Sequence, residues 1–243
     1  QPEPFCNEEG NAIQYSQSSA TCEVTRLNNP YCDFGAEEVD CDDTTQYCVS
    51  GVCEDVGTLP GAGDVLITEM MGNPEPVDDT AGEFIELYNT TDSELSLLSL
   101  VIRDSDSGSS ADSYTIANPD ATIPANGYAV LVRDTDSADN GGITGSNVYL
   151  YEGGHLKQTP SSGFQIHLEL QDGTTIDSAY YGTPTAGSSQ QLDAATYTAS
   201  GVSGSDNDDE TNWCTTTSET ETTENYGPDD QDGTPGGENA NCL

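Results

Sequence analysis

The stretch EFIELYN (83–89) has the alternation of a β-strand and one residue that breaks its apolar character. Successive side chains of a strand point to opposite faces. The two faces carry Phe84, Glu86 and Tyr88 on one side and Ile85 and Leu87 on the other. Both faces are therefore apolar apart from Glu86. The pattern predicts a strand with a half-buried carboxylate, which needs a partner.

Three kinds of partner suit Glu86: a cation, an arginine such as Arg103, or backbone N–H groups. The preceding loop offers Asp78, Asp79 and Glu83. Calcium prefers several oxygen ligands, and this cluster supplies them, so the sequence predicts a calcium site here. The alternative is a hydrogen bond that belongs to the fold and involves no metal.

Further strand patterns follow along the chain, and no segment shows a long helical period. They are DVLITEMM (64–71), LSLLSLVIRD (95–104), GYAVLVRD (127–134), NVYLYEG (147–153) and the hairpin GFQIHLELQDGTTIDSAYYG (163–182). The hairpin turns at Asp172-Gly173, a strong turn signal. Short strands separated by turns predict an all-β sandwich.

The first part of the chain is rich in cysteine and poor in apolar residues. We predict a small disulfide domain over residues 1–56, a linker over 57–63 and the sandwich over 64–243. The sequence does not choose among the pairings of the six N-terminal cysteines. These are Cys6, Cys22, Cys32, Cys41, Cys48 and Cys53.

The chain is strongly acidic, with 44 Asp and Glu against 4 Lys and Arg and a formal charge of −40. Such a charge repels nucleic acid and anionic membrane surfaces and attracts divalent cations. A solvated surface adapted to high salt is the alternative reason for the acidity.

Cysteine usage indicates the compartment. An even count of eight cysteines with only two histidines favours disulfides and an oxidising environment. The chain begins at Gln1, which suggests a processed form, and no apolar run approaches the length of a membrane span. We therefore expect a secreted or cell-surface protein with no membrane insertion.

Five segments come in an order that resembles a known family. They are GDVLITEMMGNP (63–74), GEFIELYN (82–89), LSLLSLVIRD (95–104), IPANGYAVLVRD (123–134) and QIHLELQDGTTIDSAYYG (165–182). Together with a tail that runs from NWC to GENANC, they resemble the lamin-tail domain of secreted bacterial proteins. The resemblance implies an immunoglobulin-like β-sandwich that serves as an interaction or structural module without general enzymatic activity.

The resemblance extends to the C-terminal cysteines. It leads us to predict that Cys214 pairs with Cys242, with Trp213 close to the bridge and the acidic tail pinned to the sandwich. The alternative is that one of these cysteines bridges two chains.

Other candidate sites are less complete. Asp134 and Asp136 resemble the opening of a calcium loop, although no segment completes the EF-hand pattern. His155 and His167 are isolated, and His167 is expected to be an exposed strand residue. The sequence contains no GxSxG, HExxH or Walker loop, so we do not expect an enzyme.

The leading functional hypothesis is an extracellular structural protein that self-associates into a filament, sheath or layer. Cations or salt would then have to screen the charge between subunits. The second hypothesis is a monomeric, calcium-dependent adhesion module for a surface polysaccharide. Tyr149, Tyr151 and Tyr197 would form its sugar platform if they are exposed, although strand packing is the favoured reading for them.

Overall fold

The computed structural model divides the chain into two compact units, residues 1–57 and 58–243. Side chains are described for Asp55 and for residues 57–105, 113–151, 156–198, 204–216, 225–227 and 231–243. In the first unit the structure otherwise describes only the backbone of five strands. These are β1 (Phe5–Cys6), β2 (Ala12–Val24), β3 (Pro30–Val39), β4 (Gln46–Val49) and β5 (Val52–Asp55).

The strands of the first unit form an antiparallel sheet in the order β1-β2-β3 and a separate hairpin of β4 and β5. The backbone register sets Cys22 opposite Cys32 and Cys48 opposite Cys53. The pairing of the six N-terminal cysteines lies outside the described residues.

In its described residues the second unit is built from short strands, two α-helices of four residues each and two 3-10 helices, Asp206–Asp208 and Glu210–Asn212. The strands are β6 (Val65–Met71), β7 (Phe84–Asn89), β8 (Leu95–Ser96), β9 (Val101–Asp104), β10 (Ser113–Thr115), β11 (Thr122–Ile123), β12 (Tyr128–Val132), β13 (Val148–Leu150), β14 (Gln165–Glu169), β15 (Thr175–Tyr180), β16 (Gln190–Leu192), β17 (Trp213–Thr215), β18 (Asn225–Tyr226) and β19 (Gln231–Asp232). The helices are α1 (Asp79–Gly82) and α2 (Ala194–Tyr197). Neither of these helices is long and apolar enough to cross a membrane.

Two sheets make the sandwich. One has six strands in the order β13-β12-β7-β6-β16-β17, and the other has four in the order β10-β9-β14-β15. Strands β12 and β13 pair in parallel, and the other pairs in these two sheets are antiparallel. The predicted all-β, immunoglobulin-like sandwich is therefore confirmed.

Alternation along β7 and β12 divides the apolar side chains between two clusters. The inner face of the six-stranded sheet gives Ile85, Leu87, Ala129 and Leu131 to the main core, where they meet Ile102, Ile166 and Leu168 of the other sheet. The outer face carries a second, smaller cluster of Met71, Phe84, Val130, Val132 and Ile143. Both faces of this sheet are thus buried, as the pattern of EFIELYN predicts.

The segment 95–104 was predicted as one strand, and this is wrong. The structure has two strands, β8 and β9, separated by a buried turn. Ser99 adopts a φ of 70° there, which ends the extended conformation. The leucines of the turn still enter the core because Leu97 and Leu100 are fully buried.

Strand β6 contains a β-bulge beside the candidate site. It pairs with β7 at Ile67–Leu87 and next at Glu69–Glu86, so Thr68 is the extra residue. The bulge reverses the alternation of the strand. As a result Glu69 lies on the outer face together with Met71, instead of following Ile67 into the core.

Strand β16 pairs with β6 only at Glu69 and Met70. Side chains therefore supply the backbone hydrogen bonds of Ile67 that a longer β16 would have made. Asp177 accepts a hydrogen bond from the Ile67 amide at 2.7 Å. Asn207 donates to the Ile67 carbonyl at 3.1 Å and to the Asp177 carboxylate at 2.8 Å. These bonds satisfy backbone groups that would otherwise be buried without partners.

We predict that Asn207→Ala lowers the free energy of unfolding by about 1–3 kcal/mol, because it removes donors from a buried carbonyl and a buried carboxylate. Urea unfolding measures the change. Gln171→Ala is the control, since Gln171 is exposed on the hairpin turn. Equal midpoints for the two variants would contradict this account of Asn207.

Candidate functional site

Two glutamates lie side by side on the outer face of the six-stranded sheet. Glu69 of β6 and Glu86 of β7 are register partners, and neither has any solvent exposure. Two adjacent carboxylates removed from water are costly unless donors or protons compensate them. The elements that cover this face therefore decide its chemistry.

The cover is the C-terminal segment 231–242, which we call the C-terminal strap. Thr234 donates its amide to Glu69 Oε1 at 2.9 Å and its hydroxyl to Oε2 at 3.0 Å. The hydroxyl of Ser189 also donates to Glu69 Oε1. Glu69 is thus held from the strap and from the sheet side.

Glu86 is held in the same manner. Thr68, the bulged residue, donates its hydroxyl to Glu86 Oε1 at 2.7 Å, and the Gly236 amide of the strap donates to Oε2 at 2.7 Å. The Gly237 amide instead donates to the Thr234 carbonyl at 2.9 Å, within the strap. Of the partners expected for Glu86, the structure thus provides a backbone N–H group, with the Thr68 hydroxyl in addition.

Asn239 fastens the strap where the ladder between β6 and β16 ends. Its side-chain amide donates to the carbonyls of Thr68 and Leu192, each at 2.9 Å. Its backbone amide donates to the Tyr197 hydroxyl at 2.8 Å. A single buried side chain therefore continues the ladder that the strands leave open.

A disulfide closes the strap. Cys214 of β17 bonds to Cys242, 28 residues later in the chain. Closing a loop of this length contributes about 3–4 kcal/mol through the unfolded state. Trp213, next to the bridge, is buried and donates its indole N–H to the Asn207 carbonyl at 2.8 Å.

Apolar contacts complete the cover of the outer face. Tyr226 of β18 packs edge-on against Phe84, with ring centroids 5.8 Å apart. On the other side of the carboxylates, Tyr88 packs against both Tyr128 and Tyr197. The two glutamates therefore lie between two aromatic contacts and below a polar strap.

Burial shifts the ionisation of the pair. Burial raises the pKa of Glu69 to about 7, although the hydrogen bonds from Ser189 and Thr234 lower it. Burial and the neighbouring Glu69 carboxylate raise the pKa of Glu86 well above its ordinary value. At neutral pH the pair therefore does not carry two full negative charges.

Glu83 occupies a different buried position. Its Oε2 accepts a hydrogen bond from the Leu156 amide at 3.1 Å, and burial raises the pKa of Glu83 to about 8. Asp78 instead caps α1 by accepting from the Thr80 amide at 2.9 Å. Asp79, in the first turn of α1, is half-buried. The four acidic residues expected at one calcium site thus have separate local roles.

The loop that begins with Asp134 and Asp136 is held by its own carboxylates and by the side-chain amide of Asn140. Asp134 accepts from the Asp136 amide and Asp136 accepts from the Ala138 amide, as in ordinary Asx turns. The buried Asn140 donates to the carbonyls of Asp134 and Ile143. Its own oxygen accepts from the Gly142 and Ile143 amides.

The described carboxylates do not gather into a metal-binding cluster. Within the described residues, no group of three or more His, Cys, Asp or Glu side chains could hold a metal ion. Calcium binding by this chain stays a prediction. It is now restricted to carboxylates at the surface, because the oxygens of Glu86 are occupied by protein donors.

Two expectations about aromatic and histidine residues are resolved. Tyr149, Tyr151 and Tyr197 are buried, so they cannot form an exposed sugar platform. His167 was expected to be exposed, but it is half-buried and its Nδ1 lies 2.8 Å from the Ser178 hydroxyl. His155 lies outside the described residues.

A separate polar cleft of about 250 Å³ lies at the end of β15. Ser161, Gly163, Tyr180, Thr183 and Glu210 contribute to its lining. Its lining residues include none of the carboxylates of the strap site.

Sequence reasoning found Glu86 but missed Glu69, Asn239 and the bulge that connects them. Strict alternation in DVLITEMM places Glu69 on the same face as Val65 and Ile67. A charged residue in an otherwise apolar strand was the available signal for an irregularity. Nothing local to GENANC indicates that Asn239 enters the sheet.

The close approach of Gly233 to the buried pair gives a direct test of the strap. A Cβ at this position would lie 2.7 Å from Glu69 Oε1 and 3.0 Å from the Ser189 hydroxyl. We predict that Gly233→Ala lowers the free energy of unfolding by about 1–3 kcal/mol, because the site cannot expand without breaking hydrogen bonds. Chemical denaturation measures the change.

Gly237→Ala is the matched control in the same segment. A Cβ at Gly237 meets the Thr234 carbonyl at 3.6 Å, which is an ordinary contact. If both variants are equally stable, the strap does not sit against Glu69 as described.

The comparisons with known proteins agree with this architecture. The family model described as Lamin Tail Domain matches residues 59–183, slightly more than half of the chain. No curated protein matches the chain. The matched region covers the sheets as far as β15, whereas β16, β17 and the strap follow it. On this match, the chain belongs to the lamin tail domain family.

Proposed function

We propose that this protein is a non-enzymatic, extracellular structural module that self-associates into a filament, sheath or layer screened by cations. The family supports the first part, because lamin tail domains are immunoglobulin-like structural and binding modules that are not known as enzymes.

The proposed need for cations between copies rests on one observation: the basic side chains already make contacts within their own chain. Arg103 forms a two-point ion pair with Glu169, with N–O distances of 2.5 and 3.1 Å. Lys157 lies 3.3 Å from Asp104, and Arg133 lies over the Tyr151 ring at 5.6 Å. These are the three Lys and Arg residues of the second unit.

A surface of this kind has few positive charges to offer a neighbouring copy. Two chains of formal charge −40 repel each other at any distance within the screening length. Contact between copies therefore requires mobile cations. Calcium is the proposed ion, with the surface carboxylates of Asp78, Asp79, Asp134 and Asp136 as its first candidates for ligands.

Electron microscopy of the full chain tests the proposal. Samples in calcium, after chelation, and in chelator with concentrated sodium chloride separate specific binding from general screening. We expect filaments or sheets in calcium that dissolve on chelation. Their recovery in sodium chloride would assign the effect to screening alone, and single particles in all three conditions would contradict the structural role.

A monomeric binding module is the second candidate, and the polar cleft at the end of β15 favours it. Hydroxyls of Ser161, Tyr180 and Thr183 suit a small polyhydroxylated ligand such as an oligosaccharide. If the protein stays monomeric, calorimetry with oligosaccharides is the next measurement. Tyr180→Phe should weaken any binding that uses this cleft.

A further inference from the structure

The partners of Glu69 and Glu86 fall into two chemical kinds. The backbone amides of Thr234 and Gly236 can only donate, so they favour an ionised carboxylate. Hydroxyl groups can donate or accept. Each carboxyl group has such a hydroxyl partner, which is Ser189 or Thr234 for Glu69 and Thr68 for Glu86.

This arrangement accommodates a proton without moving heavy atoms. A protonated Glu86 would donate to the Thr68 hydroxyl, which then accepts instead of donating. A protonated Glu69 would donate to Ser189, whose hydroxyl lies 3.5 Å from that of Thr216. The strap amides would continue to donate to whichever oxygens remain unprotonated.

Among the described residues, the groups that face Glu69 and Glu86 carry no positive charge. Tyr226 faces Glu69 from β18, while Tyr128 and Tyr197 face Glu86 from β12 and α2. Burial raises the pKa of each of these phenols, so they stay neutral. The strap adds two carboxylates, Asp232 and Glu238.

The described basic side chains make their ion pairs and ring contacts elsewhere. The described Lys and Arg side chains therefore do not neutralise this closed site, whereas a proton would.

We propose that Glu69 and Glu86 form a proton-binding site that controls the C-terminal strap. With one proton shared by the pair, the strap is closed and its amides hold the remaining charge. When that proton leaves to solvent, two adjacent buried carboxylates repel each other. Opening of the strap then admits water to both groups and uncovers Val130 of the outer cluster, which lies beside Gly236.

The sign of the pH dependence follows from the direction of the shifts. Both glutamates have a higher pKa in the folded chain than the ordinary value of 4.5. Between these values the folded chain binds more protons than the unfolded chain. The stabilisation is therefore complete below pH 4.5 and is lost as the pH rises through the folded-state pKa, which is about 7 for Glu69.

Hydrogen exchange of the Thr234 and Gly236 amides in the full chain, followed from pH 6 to 9, tests the proposal. After correction for intrinsic exchange, we expect the protection factors of these two amides to fall by about tenfold or more between pH 6 and 9. A tenfold change is the same free-energy difference as a shift of one pKa unit. Glu86→Gln mimics the protonated group and should remove most of this dependence. Protection that does not change with pH in the wild-type chain would overturn the proposal.

Glu83→Gln is the matched control. Glu83 is also buried with a raised pKa, but its carboxylate accepts from the Leu156 amide and not from the strap amides that hold Glu69 and Glu86. It should change the pH dependence of global stability and leave that of the strap intact. If the pH dependence of strap protection vanished in Glu83→Gln and persisted in Glu86→Gln, it would belong to Glu83, and the proposal would be wrong.

If Glu86→Gln fails to fold, carboxyl carbon NMR of the wild-type chain gives a second test. Two glutamate resonances should titrate together, with at least one midpoint above pH 6. Separate titrations for this pair near pH 4.5 would overturn the proposal.

Discussion

The fold of the second unit depends on satisfying two adjacent carboxylates on the outer face of its six-stranded sheet. Glu69 and Glu86 are register partners with no solvent exposure. Neither can be buried without donors. The amides of a Gly- and Pro-containing strap can supply these donors because Gly233 lets the strap backbone come close to the sheet. The composition of the C-terminal segment, unsuited to a core, is suited to this task.

Several features of the sandwich contribute to the structure around Glu69 and Glu86. The bulge at Thr68 turns Glu69 outward and also puts the Thr68 hydroxyl on Glu86. On the inner side, Asp177 and Asn207 complete the backbone that the short β16 leaves unpaired. On the outer side, the Asn239 side chain donates to carbonyls of both β6 and β16. A disulfide then limits how far the strap can move from the sheet.

The sequence predicts much of this fold from alternation alone. EFIELYN becomes β7 with both faces buried, and Asp172-Gly173 forms the turn of the β14–β15 hairpin. The leucine run at 95–104 was misread because a buried turn and a buried strand have the same apolar composition.

The site was only partly predictable. Glu86 could be identified as a carboxylate that needs a partner. A bulge, by contrast, is set by contacts across the sheet, and the residue it inserts has no local signature. The strap donors are backbone amides, which every residue except proline has, so their role depends on position rather than on residue type.

The family match ends at residue 183, so the strap and the last two strands of the large sheet follow the shared region. These parts close the outer face over the paired glutamates of β6 and β7, which lie inside the matched region. A module with both faces of its large sheet buried keeps its apolar surface hidden, and its acidic exterior remains for contact with cations. The proposed assembly and the proposed proton site therefore use different parts of the molecule.

The most direct test of the central claim is the stability of a chain that ends at Thr216. The reference is the full chain with Cys214→Ser and Cys242→Ser, so that loss of the disulfide is common to both, and the truncated chain also carries Cys214→Ser. The account predicts a loss of at least about 4 kcal/mol, since both carboxylates lose their strap donors and the outer cluster loses its cover. Equal stability of the two chains would show that the strap is not needed to complete the fold.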